Sequence, residues 1–303
     1  MADASVIVPA RDAQATLPRT LAALDAQDFE GRYEVIVVDD GSSDGTAALA
    51  DAHGVTVVRQ PPFGPAAARN LGAARASSKL LAFCDADVFP TAGWLRNGVA
   101  TLESADLVQG KVLPDHLVEL GPYDRTIWVT SAAGLWETAN LFVTRAVFDR
   151  VGGFEQWLVP GRGKALAEDV WFGQRAVRSG AVAVFCAEAL AYHAVFERTW
   201  RGYVRERERV QYFPAMAAKM PELRRGFLYR RLFLNRRAAT FDLALAGALA
   251  ALLVQRPYPL IAGFPYVKMA RARRNTMAAD MCADAVGLIA LLSGSARYRS
   301  AVL

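Results

Sequence analysis

Residues Leu80–Pro90 read LLAFCDADVFP. The apolar run Leu80–Cys84 stops at two carboxylates, Asp85 and Asp87, with only Ala86 between them. A continuous apolar run of this length fits a strand covered on both faces, as a parallel sheet requires. In an extended segment, residues two apart face the same side. Two carboxylates so placed repel and raise each other's pKa unless a cation intervenes. Oxygen ligands together with a diphosphate are how proteins usually hold Mg2+ or Mn2+, the metal keeping several non-protein ligands. A three-residue acidic pattern is common by chance, and a solvated loop carries it at no cost. Its neighbours therefore decide its meaning.

Outward from this stretch, strands and helices alternate. Ser5–Pro9 (SVIVP) is a β-branched run closed by proline, and Asp12–Gln27 places Leu17, Leu21 and Leu24 on one helical face. Glu34–Asp39 (EVIVVD) is a second buried-strand pattern, followed by the turn residues GSSDGT and a helix from about Asp44. Val55–Val58 reads as a third strand, Pro65–Ala76 as an alanine-rich helix, Lys79–Cys84 as the fourth strand, and a helix begins near Thr91. Such alternation predicts an α/β sheet with parallel strands. Strands are expected at Leu107–Leu113, Asn140–Thr144 and Ala181–Cys186, with a helix over Lys164–Gly180.

In open α/β sheets, ligands bind outside the carboxyl ends of the strands. The first predicted strand ends at Pro9-Ala10-Arg11 and the second at Asp39-Asp40, whose side chains can accept hydrogen bonds from a ribose or a base N–H. GPAAARNLG puts Arg69 and Asn70 on a loop-to-helix segment, where an arginine fork can meet a base or a phosphate. No GxGxxG follows the first strand, so the dinucleotide fingerprint of a dehydrogenase is missing.

The totals add a second theme. Of 303 residues 53% are hydrophobic, and the mean hydropathy is +0.15, high for a purely soluble chain. Net charge is +5, yet Arg198–Arg237 alone holds 12 Lys/Arg and 3 Asp/Glu. A basic patch beside a mildly acidic remainder implies an anionic partner. Past this patch, Leu243–Val254 is apolar for 12 residues, short of the roughly 20 that a full span needs. Tyr258–Met269 is a second apolar piece, broken by Pro259 and Pro265. These pieces read as interfacial or re-entrant helices, or as a hairpin entering one leaflet. The alternative is an apolar helix pair covering the first domain. The aromatics among the arginines would suit single-stranded nucleic acid, but the adjoining apolar helices explain the patch better as membrane contact. Cys84, Cys186 and Cys282 lie far apart with no CxxC, so neither a disulfide framework nor a zinc site is expected. The N-terminus lacks a basic, apolar leader pattern, which makes a cytoplasmic chain the expectation.

Taken in order and spacing, SVIVPARD, EVIVVDDGSSDGT, PAAARNLGAARA and LLAFCDADVFP resemble a family 2 glycosyltransferase of the GT-A fold, of the bacterial membrane-associated type. ETANLFVTRAVFDRVGGFEQ resembles the family's acceptor-side segment and AEDVWFGQRAVRSG its Glu-Asp helix; the likeness covers about residues 4–195. It implies a catalytic domain over residues 1–197, divided into a nucleotide-binding half (1–105) and an acceptor-side half (106–197), with a basic and apolar helical region over 198–303. It implies a metal-dependent, inverting transfer of one sugar from a nucleotide-diphosphate sugar to an acceptor hydroxyl, in cell-envelope glycan or glycolipid synthesis. Pro9, Ala10 and Arg11 would line the nucleotide pocket, Arg11 standing where the family often has an aromatic. Asp39 would hold the base, with Asp40 near the ribose, and Arg69 would touch the nucleotide. Asp85, Ala86 and Asp87 would form the DxD segment on Mg2+ or Mn2+, with His193 a further metal or diphosphate contact. Asp169 would be the general base and Glu168 its competitor. Trp136, Glu137 and Asn140 would lie on the acceptor side, the indole either stacking on a sugar or filling the core.

Processive members carry QxxRW near here. This chain has RERERVQYF instead, which argues for single transfer to a sugar or lipid-linked acceptor. A nucleotidyltransferase would want a glycine- and lysine-bearing loop after the first strand, and PARDAQATLP has neither. A non-catalytic binder on the same fold would have no need of the distal Glu-Asp pair. The expected location is the inner face of the cell membrane, peripheral or monotopic, with anionic lipid rather than nucleic acid as partner.

Overall fold

A computed structural model describes residues 2–160, 165–271 and 274–303. Two compact units emerge: Met1–Glu119 with Thr126–Val195, and Leu120–Arg125 with Phe196–Leu303.

The first unit holds β1 (Ala4–Ala10), α1 (Leu17–Asp25), β2 (Tyr33–Asp40), α2 (Thr46–His53), β3 (Thr56–Gln60), α3 (Pro65–Arg75), β4 (Leu80–Cys84), β5 (Val88–Pro90), α4 (Trp94–Thr101), β6 (Leu107–Pro114), β7 (Asn140–Thr144), α5 (Arg145–Arg150), α6 (Glu168–Arg178) and β8 (Ala183–His193). Its eight strands form one sheet in the order β3-β2-β1-β4-β7-β6-β8-β5. The strands β1 to β4 are mutually parallel, as their continuous apolar runs predict. The sheet turns mixed at β7, which runs antiparallel to both β4 and β6. Strand alternation separates two cores. Val6, Val8, Ala82, Cys84 and Phe142 pack on one face with Leu17, Leu21 and Trp94. Ile7, Leu81, Phe83, Leu141 and Val143 pack on the other with Phe148, Phe154 and Phe172. The fit is tight: a Cβ on Gly98 of α4 would lie 2.2 Å from the Phe142 ring.

Several boundaries differ from the sequence reading. The predicted last strand ends at Cys186, but β8 runs on to His193 because its second half pairs with β6 and with β5. The predicted helix over Lys164–Gly180 begins at Glu168; Lys164 lies outside the described residues. The helix expected near Thr91 begins at Trp94, because β5 occupies Val88–Pro90 first.

The second unit is helical: α7 (Trp200–Glu206), a 3-10 turn over Arg207–Tyr212, α8 (Phe213–Lys219), α9 (Leu223–Gly226), α10 (Arg236–Val254), a 3-10 turn over Tyr258–Gly263, α11 (Phe264–Arg271) and α12 (Met277–Tyr298). Its small core joins Ala290 and Leu291 of α12 to Val210, Ala217, Leu228 and Val302. The 12-residue apolar run is part of the longer helix α10, capped by the Asn235 side chain on the Ala238 N–H. Both α10, with 19 residues, and α12, with 22, are long and apolar enough to cross a membrane by length and composition.

Candidate functional site

Parallel pairing brings the strand ends together. Ala10 lies opposite Asp39, Asp39 opposite Arg59, and Asp40 opposite Gln60. Ala10, Asp39 and Asp40 are buried, Pro9 is half-buried and Arg11 is exposed. Asp39 Oδ1 accepts from the Ser42 N–H at 3.2 Å. Asp40 is more heavily committed. It accepts from Gln60 Nε2 at 2.6 Å and from the Gly64 N–H at 3.0 Å to each oxygen, and Arg11 Nη1 stands 4.0 Å from its Oδ2. These bonds fix the loop Pro61–Gly64 beside the strand ends. Phe63 on that loop is 62% exposed, and its carbonyl accepts from Gln156 Nε2 at 2.6 Å.

Arg69, in the second turn of α3, is buried and lies between two acids. Nη2 donates to Asp85 Oδ1 at 2.8 Å and Nη1 to Glu168 Oε1 at 3.3 Å. Burial works against its charge, but Asp85 and Glu168 outweigh burial and hold the guanidinium above its ordinary pKa. Its Nε is buried without a hydrogen-bond partner.

Helix α6 opens with Glu168 and Asp169, where its dipole favours negative charge. The residue before them, Ala167, has φ of +59°, a left-handed conformation that costs a non-glycine residue energy. The Trp157 Nε1–H and the Trp171 N–H both donate to the Ala167 carbonyl. Asp169 Oδ1 accepts the Val170 N–H at 2.8 Å. Burial first, then the neighbouring Glu168 charge, pushes the Asp169 carboxyl up to about 8, with Arg69 opposing. Glu137 is pushed up by burial and adds its negative charge to the surroundings of Asp169.

At the end of β4, Ala86 is buried and its carbonyl accepts from Thr20 Oγ1 at 3.0 Å. Asp85 and Asp87 are partly exposed. Pairing of β5 with β8 sets Val88 opposite His193 and so brings His193 beside Asp87. His193 is buried, and its Nδ1 lies 2.6 Å from the Ala194 carbonyl. A carbonyl only accepts, so Nδ1 carries the proton. In the neutral ring Nε2 is then an acceptor, and it faces Asp87 Oδ2 at 3.6 Å. Among the described residues, no group of three or more His, Cys, Asp or Glu converges as a ready-made metal site. Asp85, Asp87 and His193 are oxygen and nitrogen donors of the kind a divalent ion takes when further ligands complete its shell.

The family model described as Glycosyl transferase family 2 matches residues 5–155. The chain belongs to glycosyl transferase family 2. Glycosyltransferase AglE of Haloferax volcanii is 31% identical over 206 residues, which is 62% of this chain and 66% of that one. An uncharacterized glycosyltransferase of Mycobacterium tuberculosis is 38% identical over 111 residues, 36% of this chain and 49% of the relative. This chain thus spans about half to two thirds of the length of these curated relatives. Among solved structures, mannosyltransferase PcManGT from Pyrobaculum calidifontis, in complex with GDP-Man and Mn2+, superposes with a TM-score of 0.61 at 20% identity, covering 97% of this chain and 87% of that one. S. aureus TarS 1–349 gives a TM-score of 0.54 at 18% identity, covering 98% of this chain and 92% of that one. At these identities the two structures establish the GT-A fold alone.

Within this family 2 domain, the surroundings of three more of the named residues are as follows. Arg69, 5% exposed, holds its guanidinium between Asp85 and Glu168. Asn140, expected on the acceptor side, is fully buried: Nδ2 donates to the Lys111 and Ala189 carbonyls and Oδ1 accepts from Trp94 Nε1. It ties β7 to β6, β8 and α4. Trp136 is buried against α6, so close that a Cβ on Gly173 would lie 2.1 Å from its Cγ. Its indole fills core, with Nε1 unpartnered. The sequence reading also passed over Phe63. Its signal was an aromatic between Pro62 and Gly64, directly after a strand end.

Proposed function

We propose that this chain transfers a single sugar, with inversion and with a divalent metal, from a nucleotide-diphosphate sugar to an acceptor hydroxyl. The observation that carries the reading is the chain of contacts Asp85–Arg69–Glu168, which couples the acidic end of β4 to the first turn of α6, where Asp169 has its proton affinity raised. A base poised near operating pH is what proton removal from a hydroxyl needs. The competitor Glu168 is held by Arg69, which leaves Asp169 to serve.

In this reading the acceptor oxygen attacks the anomeric carbon as Asp169 takes its proton at a carboxylate oxygen. A C–O bond forms on one face, the C–O bond to the diphosphate breaks on the other, and configuration inverts. Asp87, with Asp85 and His193, would hold Mg2+ or Mn2+, which when bound neutralises charge on the leaving diphosphate. A fold neighbour solved with GDP-Man and Mn2+ supports that donor class. Pro9, Ala10, Arg11 and Asp39 would surround the nucleoside, Asp40 would fix the loop after β3, and the exposed ring of Phe63 would give the base a stacking surface. Glu137 would stand beside the acceptor. The acceptor would be a sugar or lipid-linked hydroxyl at the inner face of the cell membrane, in envelope glycan or glycolipid synthesis, with the Arg-rich region meeting anionic lipid rather than nucleic acid.

The test is incubation with labelled UDP-, GDP- and dTDP-sugars and a polyprenyl-phosphate-linked acceptor, with Mn2+ or EDTA, reading the product's anomeric configuration by NMR. An inverted glycoside formed only with metal is the expected result. A retained configuration, or transfer undiminished in EDTA, sinks this mechanism.

A further inference from the structure

Helices α10 and α12 of the C-terminal unit are about equally apolar, yet Gly247 is the one buried residue of α10, against six in α12. Helix α12 is anchored along one side, although Ile289 and Leu292 stay exposed. It packs its small residues so closely on the Arg207–Tyr212 turn that a Cβ on Gly294 would lie 2.1 Å from the Gln211 carbonyl oxygen. Helix α10 instead pairs with the returning segment Tyr258–Arg271. A Cβ on Gly247 would lie 2.5 Å from the Pro259 carbonyl oxygen, and the Phe241 and Tyr266 rings meet edge to face at 5.2 Å. The two arms form a hairpin.

The base of the hairpin is bolted to α12. Asp284 Oδ2 accepts from Arg237 Nε at 2.9 Å, Arg237 Nη2 at 2.8 Å and the Tyr266 hydroxyl at 2.6 Å. One carboxylate oxygen therefore holds both arms. Beyond Asp242 helix α10 is apolar as far as Val254, and the hairpin is bare: Leu252 is 76% exposed, Leu253 84% and Ile261 80%, with Leu249 and Phe264 also exposed. An apolar helix with no polar face calls for an apolar surround. Exposed cations ring it: Arg236, Lys268 and Arg271 at the base, Arg256 at the tip.

We propose that this hairpin is a wedge that enters one leaflet of a bilayer containing anionic phospholipid, and that α12 stays in the protein. The projecting stretch Leu243–Val254 is 12 residues, about 18 Å of helix, against a hydrocarbon core of about 30 Å. By itself that stretch does not reach across, and the rest of α10 carries Arg236, Arg237 and Asp242, with Arg237 held by Asp280 and Asp284. Arg256 at the tip makes the wedge lie slanted, so that its guanidinium reaches the phosphates of the leaflet it entered. The basic ring selects a lipid surface over a second copy of this chain, whose hairpin would present the same positive charges. This deepens the membrane part of the function proposed above and is independent of the transfer chemistry.

The test is flotation of the purified chain with neutral phosphatidylcholine vesicles and with vesicles containing about 30% phosphatidylglycerol. The wild type is expected to float with the anionic vesicles at least tenfold better than with neutral ones. The triple variant Leu252→Gln, Leu253→Gln, Ile261→Gln is expected to stay behind while its thermal melt and metal-dependent nucleotide binding are unchanged. Arg256→Cys in a Cys282→Ser background is expected to react with an impermeant maleimide added outside intact vesicles. Failure of the wild type to float, flotation of the triple variant, or equal binding to both vesicle types overturns the proposal. So does wild-type dimerisation that the triple variant loses in place of flotation, or labelling of the Arg256→Cys variant only after detergent. Donor binding measured on the same samples separates any such failure from failure of the transferase reading.

Discussion

In the sheet unit, Phe83, Phe142 and Phe172 lie underneath and Asp85, Asp87 and Arg11 stand at the strand ends. In the C-terminal unit the order is reversed: Asp280, Asp284 and Arg237 are drawn inside, while Leu252, Leu253 and Ile261 face out. Each unit pairs its inner charges. Arg69 meets two acids in the first, and Arg237 meets two in the second. The difference is in what stays uncovered. The sheet unit leaves the carboxylates Asp85 and Asp87 partly exposed at its strand ends. The helical unit leaves leucines to meet something apolar. A buried ion pair is weak evidence for stability on its own, because desolvation offsets much of the attraction. In both units the paired charges tie neighbouring elements together.

That contrast can be broken at four points, taken here from the largest expected effect down. Asp169→Asn is expected to lower turnover by about 10²–10⁴-fold, the usual contribution of a positioned base, with donor binding intact; a loss under tenfold in a single-turnover assay contradicts its role. The next effect is on stability. Arg69→Met leaves Asp85 and Glu168 without their cation and is expected to cost about 3–5 kcal/mol, read by urea unfolding. Asp284→Asn in the other unit is expected to weaken vesicle flotation through the hairpin base while sparing donor binding. If either variant abolishes both activities equally, the division of labour fails.

The third point is pH. Asp169 is held neutral to about pH 8 in the folded chain against a reference near 3.8. The unfolded chain therefore binds fewer protons between those values, and stability falls as pH rises across that window. Asp169→Asn removes this loss and is expected to raise the melting temperature at pH 7.5 by a few degrees even as it lowers turnover. In the wild type, kcat/KM is expected to climb with pH toward about 8, as the free enzyme's base ionises. A flat profile between pH 6 and 8 would count against it. The smallest effect belongs to Phe63→Ala, expected to weaken nucleotide-diphosphate binding about tenfold, within the roughly 1–3 kcal/mol of a base–aromatic stack. Pyrophosphate, which has no base, should bind the variant as it binds the wild type. Equal weakening of both would make Phe63 a loop residue.

Much of the fold was legible because parallel strands advertise themselves as unbroken apolar runs; four such runs precede residue 85, two of them ending in acids. The sheet's turn to antiparallel pairing was not, since β7 carries the same apolar pattern in either direction. β5 escaped because three residues ending in proline make no periodic signal, and with it went the reason His193 stands near Asp87. Arg69 was legible as a site residue but not in its contacts, because Asp85 and Glu168 lie 16 and 99 residues away in sequence. Asn140 carried no mark of its burial, since a polar residue at a strand start reads as surface. The true length of α10 was hidden by Arg236, Arg237 and Asp242, which interrupt its apolar count, and α12 was hidden by Asp280 and Asp284 in the same way.

The measurement that bears most directly on the central claim is calorimetric titration of UDP, GDP and dTDP, each with Mn2+ and with EDTA, into the wild type and Asp87→Ala. The account predicts that one diphosphate binds in the presence of metal only, and that the variant loses that binding while keeping its melting temperature. Binding that is indifferent to EDTA and to Asp87, or no binding of any diphosphate, would mean that the acidic ends of β2 and β4 do not form a donor site.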